Sequence, residues 1–322
     1  MTAPPSSVRV YAPASVANFG VGFDILGAAL DGAGDVVVAR RSRRRGVRVL
    51  SIQGDDGRLP LDPGENTASV AALGVLEMAR AGGSPVAGID LEIVKGLPLE
   101  SGMGSSAASA AAGGFAAALL LGIRDRRKIL RHVLRGENAA DGSWHGDNVF
   151  SSLLGGLVLV PASDPEKPLR PVSLPFPERL RLVLVHPELS LKTSESRKVL
   201  PKEIPLATHV RQAAALASLV AALAAGDLEG AGRAVDSDSV VEPARAPLIP
   251  GHRAVTRAMR KAGAFGCAIA GAGPSLLALS EDGPGASSIA RAAVAAWKAE
   301  GIRSTASVHR IDSLGAREIP VS

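Results

Sequence analysis

Residues 105–121 read Ser-Ser-Ala-Ala-Ser-Ala-Ala-Ala-Gly-Gly-Phe-Ala-Ala-Ala-Leu-Leu-Leu, a run of small residues without a single charge. Alanine is the best helix former, and a helix with side chains this small can lie close against a sheet. Just upstream, Ile89, Leu91 and Ile93 alternate with Asp90 and Glu92, the period-two pattern of a half-buried strand over 89–95. Residues 96–104 between them form a loop containing Gly96, Gly102 and Gly104. A strand, a glycine loop and a helix in succession turn backbone N–H groups and the positive end of the helix dipole toward one point. Such a point binds phosphate, and the hydroxyls of Ser105 and Ser106 can add hydrogen bonds or ligate Mg²⁺. A plainer role stays open, in which Ser105 caps an Ala-rich helix. The loop has neither the Gly-Lys-Ser/Thr of a Walker A motif nor the G-x-G-x-x-G spacing of dinucleotide binders.

The rest of the composition agrees with close packing. Apolar residues make up 46% of the 322 residues but aromatics only 3%, so Ala, Val, Leu and Gly must build the core. So few rings argue against stacking of single-stranded nucleic acid. The length exceeds what one core comfortably fills, which predicts two domains. The net charge of +5 resides in one run: without Arg40, Arg41, Arg43, Arg44 and Arg45 it would be zero. That run reads as a solvated loop rather than a nucleic-acid patch. The single cysteine, Cys267, excludes an internal disulfide and, in the apolar run Cys267-Ala-Ile-Ala270, reads as a buried thiol. No stretch approaches the uncharged length needed to cross a membrane, and residues 1–8 show no secretory leader, so a cytoplasmic protein is expected.

Elements are predicted throughout the chain. Strands fall at 8–11, 35–40, 47–52, 89–95, 156–160, 180–185, 266–270, 276–280 and 304–311. The second and third flank the Arg run as a hairpin. Helices fall at 66–80, 105–121, 126–137, 147–154, 209–225, 252–261 and 287–300. Strands and helices alternate without strict βαβ order, so the fold class is α+β. The Pro-rich passage from Pro161 to Pro177 marks a domain boundary, dividing the chain into 1–165 and 166–322.

Three motifs carry a resemblance. Gly102-Met-Gly104-Ser105-Ser106-Ala107-Ala108 resembles the central phosphate-loop motif of the GHMP kinases, with Met103 where Leu is usual. Pro13-Ala-Ser-Val-Ala-Asn18-Phe-Gly-Val-Gly-Phe-Asp24, continuing to Leu26-Gly27, resembles their N-terminal motif, with Phe19 in place of a usual Leu. Gly271-Ala-Gly273-Pro274-Ser275 resembles their C-terminal glycine loop. Within that superfamily the homoserine kinase family matches best, through Trp144-His145-Gly146-Asp147-Asn148-Val149 and the closing Gly315-Ala316-Arg317.

The resemblance implies a two-lobed GHMP kinase fold, with an N-terminal ribosomal-protein-S5-like, ATP-binding domain and a C-terminal ferredoxin-like α/β sandwich. It implies ATP-dependent phosphorylation of the L-homoserine hydroxyl in threonine biosynthesis, and a homodimer with neither nucleic-acid nor membrane partner. It assigns ATP to Asn66, Lys95 and the loop residues Pro98, Leu99, Glu100, Ser101, Gly102, Met103, Gly104, Ser105, Ser106, Ala107 and Ala108. Asn66 fits equally as a helix N-cap, and Lys95 as a solvated strand end. Mg²⁺ falls to Ser106 and Glu137, oxygen ligands for a hard cation. Homoserine falls to Asn18, Asp24, His145, Thr193, Arg197 and Arg245, the two arginines matching its carboxylate. Asp24 and Glu137 are the catalytic candidates, with the identity of any general base open. Two rivals remain at this point: another small-alcohol kinase of the mevalonate or shikimate type, and a basic RNA-binding or regulatory protein on the same fold.

Overall fold

The computed structural model of the chain describes residues 5–99, 101–161, 164 and 166–320. The chain opens with a long antiparallel pair, β1 (Ser7–Asn18) and β2 (Gly22–Ser42). β1 does not end near Pro13 but runs on through the first motif, with a register shift between Pro13 and Ala14. Proline has no N–H for the ladder, and a bulge is where a strand tolerates it. Then come β3 (Gly46–Gln53), α1 (Thr67–Ala81) and β4 (Gly88–Val94). The expected hairpin of β2 and β3 is not formed, because β4 lies between them, antiparallel to β2 and parallel to β3. Parallel neighbours need a crossover, and α1 supplies it. Ile89, Leu91 and Ile93 are all buried, as suits a central strand. In the intervening connection Arg43, Arg44 and Arg45 are exposed, while Arg40 pairs with Glu92 and Arg41 Nη2 donates to the Leu120 carbonyl at 2.9 Å.

Next are α2 (Ser105–Leu120), α3 (Leu130–Asp141), α4 (Gly146–Leu154), β5 (Leu157–Leu159) and β6 (Val172–Leu174). The remainder runs β7 (Leu180–Pro187), α5 (Thr193–Lys198), α6 (Leu206–Ala225), α7 (Leu228–Val235), α8 (Val241–Arg245), α9 (His252–Lys261), β8 (Gly266–Ile269), β9 (Leu276–Glu281), α10 (Pro284–Ala299), β10 (Ser304–His309) and β11 (Arg317–Glu318). The first sheet has the order β11-β1-β2-β4-β3, with β5 on β2 and β6 on β5. The second is wholly antiparallel, in the order β10-β7-β9-β8. β6 and β11 thus return to the first sheet from beyond residue 165.

One core lies between the first sheet and α1, α2 and α3, and every residue of α2 except Ser106 is buried. Another packs β7, β8 and β9 against α9 and α10, and takes in Cys267, whose thiol burial pushes up to about 12. A third joins the lobes, bringing Ala14, Val16, Phe19 and Met103 against Leu182, Leu219, Ala268 and Leu277. Helix α6 corrects one expectation. Its 20 residues carry one charge, Arg211, and are long and apolar enough to cross a membrane, with 11% of the apolar window buried. Much of that apolar character is alanine, and Leu219 and Leu223 pack into the shared core.

Candidate active site

Where the lobes meet, a cleft of about 940 Å³ opens between the start of α2 and the segment carrying α5. Its floor is the glycine loop. Gly102 and Gly104 have φ of 73° and 64°, and a Cβ on Gly104 would stand 2.1 Å from Ser15 Oγ, so only glycine fits there. Gly104 is the N-cap of α2 and no side chain caps the helix. The alternative of Ser105 as the cap is therefore excluded, and its hydroxyl oxygen is buried without a partner. The first-turn N–H groups of α2 are left for a ligand, and the dipole makes that ligand an anion.

Ser106, the half-exposed residue of α2, donates its hydroxyl to Glu137 Oε1 at 3.0 Å. His145 Nδ1 lies 3.3 Å from the same oxygen. Glu137 comes from α3 and is 3% exposed, yet its Oε2 has no hydrogen-bond partner. A buried, unpartnered carboxylate oxygen beside a serine hydroxyl and an anion site suits a hard divalent cation. Among the described residues no three His, Cys, Asp or Glu side chains are grouped to hold a metal alone.

Another part of the cleft is built on charge. Asn18, Phe19 and Asp24 have positive φ (78°, 46° and 56°), a concentration of strain between β1 and the start of β2. Asn18 holds the turn together: its Nδ2 donates to the Gly271 carbonyl at 2.7 Å, and its Oδ1 accepts from Asp24 N–H at 3.1 Å. Asp24 in turn accepts two parallel hydrogen bonds of 2.9 Å from Arg197. Arg245, at the end of α8, is 2% exposed and donates to the carbonyls of Ser196 (3.2 Å) and Gly271 (2.9 Å). It has no carboxylate within ion-pair distance among the described residues. Burial first, and the Arg197 charge nearby second, draw its guanidinium down to about 10. Both guanidinium carbons sit over the Phe23 ring, at 5.5 Å for Arg197 and 5.0 Å for Arg245.

The predicted residues converge unevenly. Asn18, Asp24, Asn66, Lys95, Leu99, Ser101, Gly102, Gly104, Ser105, Ser106, Glu137, His145, Thr193, Arg197 and Arg245 all line the cleft. Pro98, Met103, Ala107 and Ala108 do not; Met103 and Ala108 belong to the shared core beneath it. Glu100 lies outside the described residues. Asn66 is the N-cap of α1, accepting from Ala68 and Ser69 N–H. Lys95 is no solvated strand end: its side chain is 1% exposed and paired with Asp35.

Of the cleft residues outside the predicted site, Asp147 and Phe23 bear most directly on its charge. Asp147 is 2% exposed, at the start of α4, and burial pushes its carboxyl up to about 6, with Asp24 raising it and His145 lowering it. Phe23 aligns the two arginines. The signal for Asp147 was present, because it sits two residues after His145 in the motif that singled out that histidine.

Known proteins place this chain. Residues 66–156 match the family described as GHMP kinases N terminal domain, and residues 219–299 match GHMP kinases C terminal. The chain is 46% identical over 282 residues to a homoserine kinase from Chlorobium phaeovibrioides, covering 85% of this chain and 87% of that one. It is 44% identical over 322 residues to a homoserine kinase from Chlorobaculum tepidum, covering 97% and 98%. The crystal structure of a homoserine kinase from Cytophaga hutchinsonii superposes with a TM-score of 0.91 at 42% identity, covering 99% of each chain.

Proposed function

The chain belongs to the GHMP kinase family, among its homoserine kinases, and on that footing we propose that its cleft transfers phosphate from ATP to the hydroxyl of L-homoserine, giving O-phospho-L-homoserine for amino-acid biosynthesis. The observation that carries the substrate assignment is Arg245, a buried cation with no carboxylate partner among the described residues, in a cleft that an uncapped helix N-terminus also lines. A buried arginine in that position calls for an anionic group on the ligand.

The nucleotide phosphates lie along residues 101–106, on the N–H groups of the glycine loop and of α2. Leu59, Pro60, Ile93 and Leu99 offer the adenine an aliphatic slot, in keeping with the scarcity of aromatics. Ser106 and Glu137 would hold Mg²⁺, which would offset the negative charge of the phosphates. The homoserine carboxylate takes the guanidinium groups of Arg197 and Arg245. Its ammonium faces Asp147, the buried carboxylate on the same wall. Asn18 keeps Asp24 turned into the cleft, where Asp24 orients the hydroxyl and accepts its proton. His145 steadies Glu137, and Thr193 closes the substrate end. Phosphoryl transfer asks little covalent chemistry of a protein, so alignment and charge supply most of the rate. The chain works, in this reading, as a cytoplasmic homodimer with lobes 1–165 and 166–322, the second lending β6 and β11 to the sheet of the first, and with neither nucleic acid nor membrane as partner.

The test is ADP release with homoserine, mevalonate, galactose and shikimate offered in parallel. Turnover above the ATPase background is expected with homoserine. Turnover with another alcohol and none with homoserine overturns the assignment.

A further inference from the structure

Behind the glycine loop lies a cluster that the reaction above does not use. Asp35, on β2, is fully buried. Its Oδ1 accepts the Gly96 N–H at 3.1 Å, and its Oδ2 accepts the Lys95 ammonium and, at 2.7 Å, the Ser109 hydroxyl. Lys95 Nζ also donates to the Ser105 carbonyl at 2.9 Å and to Ser109 Oγ at 2.8 Å. Three acceptors take up its three protons, so none is left for a phosphate. Gly96 is the first residue of the loop and Ser105 the first of α2. Residues 96–104 therefore leave one buried carboxylate and return to it.

We propose that Asp35 is a positioning residue for the nucleotide: it pins both ends of the phosphate loop and so fixes the direction of the uncapped N–H groups of α2. This rests on the kinase reading of the cleft. Stability alone does not account for the cluster. A buried ion pair contributes little over apolar residues of the same volume. A lysine at the positive end of a helix works against the dipole unless an anion answers it. What the cluster does supply is a fixed span for a loop that two positive-φ glycines would otherwise leave loose. Sub-ångström placement of such donors is where charge stabilisation in phosphoryl transfer comes from.

The experiment is calorimetric titration of the full chain with ADP in the presence of Mg²⁺ and, separately, with L-homoserine. The variants are Ser109→Ala, Asp35→Asn and the charge-free pair Asp35→Leu/Lys95→Met. Ser109→Ala is expected to weaken ADP by about three- to tenfold, and each Asp35 variant by about tenfold or more, with homoserine affinity held within about twofold. The charge-free pair keeps a cooperative melt and still binds ADP weakly. A folded variant with wild-type ADP affinity overturns the proposal, as do equal losses for both ligands, which mark a merely structural cluster. Where the Asp35 variants fail to fold, Ser109→Ala decides alone. A wild-type chain that binds no ADP overturns the kinase reading itself.

Discussion

Asp24 and Arg197 read each other: Arg197 Nη1 and Nη2 each lie 2.9 Å from a different oxygen of the Asp24 carboxylate. The planar fork of arginine is suited to a carboxylate, and here the chain presents one of its own. Both side chains are about a third exposed, so an incoming carboxylate can take the fork at small cost. Once Arg197 turns to the substrate, an Asp24 oxygen is released to accept the hydroxyl proton. Asp24→Asn is therefore expected to lower kcat by roughly 10²- to 10⁴-fold while the Kd for homoserine moves within about threefold. Single-turnover kinetics beside calorimetry separates the two; an unchanged kcat removes Asp24 from the chemistry.

Arg245 differs from Arg197 in having no anionic partner among the described residues, only the Ser196 and Gly271 carbonyls. Its charge is held out of water for a ligand. Arg245→Leu is expected to raise the KM for homoserine by roughly 30- to 1000-fold, the effect of truncating one side of a buried charged contact. ATP affinity should stay nearly constant, since Arg245 donates to the Ser196 and Gly271 carbonyls and not to the glycine loop or α2. Weakened ATP binding in this variant counts against the assignment.

Glu137 has one oxygen shared by Ser106 and His145 and the other buried without a partner. Glu137→Gln preserves the shape and removes the charge. Activity at low Mg²⁺ is expected to fall, and raising Mg²⁺ to restore part of it. A Mg²⁺ titration checks this, and a loss indifferent to Mg²⁺ denies Glu137 the cation.

The loop and helix at 96–120 were legible because one local pattern dictates them: alternation, then glycine, then alanine. The order of the sheet was not. Nothing in 35–52 tells that β4 enters between β2 and β3, since strand partners are chosen by tertiary contacts. The short helices α5, α7 and α8 fell below what a periodic pattern can reveal, although α5 and α8 carry Arg197 and Arg245. Those two arginines were found through resemblance. Lys95 shows the limit from the other side: its place in sequence suggested a hand for phosphate, but its partner Asp35 lies 60 residues away and only the fold joins them.

Asp147 gives the protein a pH signature. Burial lifts its carboxyl from the ordinary 3.8 to about 6, so the folded state holds a proton that the unfolded chain has lost between those values. Stability supplied by the protonated form is complete below about 4 and is lost as pH rises through about 6. At pH 8 the buried charge costs on the order of 3 kcal/mol. Asp147→Asn keeps an oxygen for the Asn148 N–H, now at 2.9 Å, and is expected to raise Tm at pH 8, the gain shrinking as pH falls toward 4. Activity should move the opposite way. The ionised carboxylate is the form that faces an ammonium, so kcat/KM for homoserine should fall below about pH 6 in the wild type. In Asp147→Asn it should be low and flat across the same range. Melting curves and kcat/KM profiles from pH 4 to 8 check both; an acid limb that persists in the variant assigns the titration to another group.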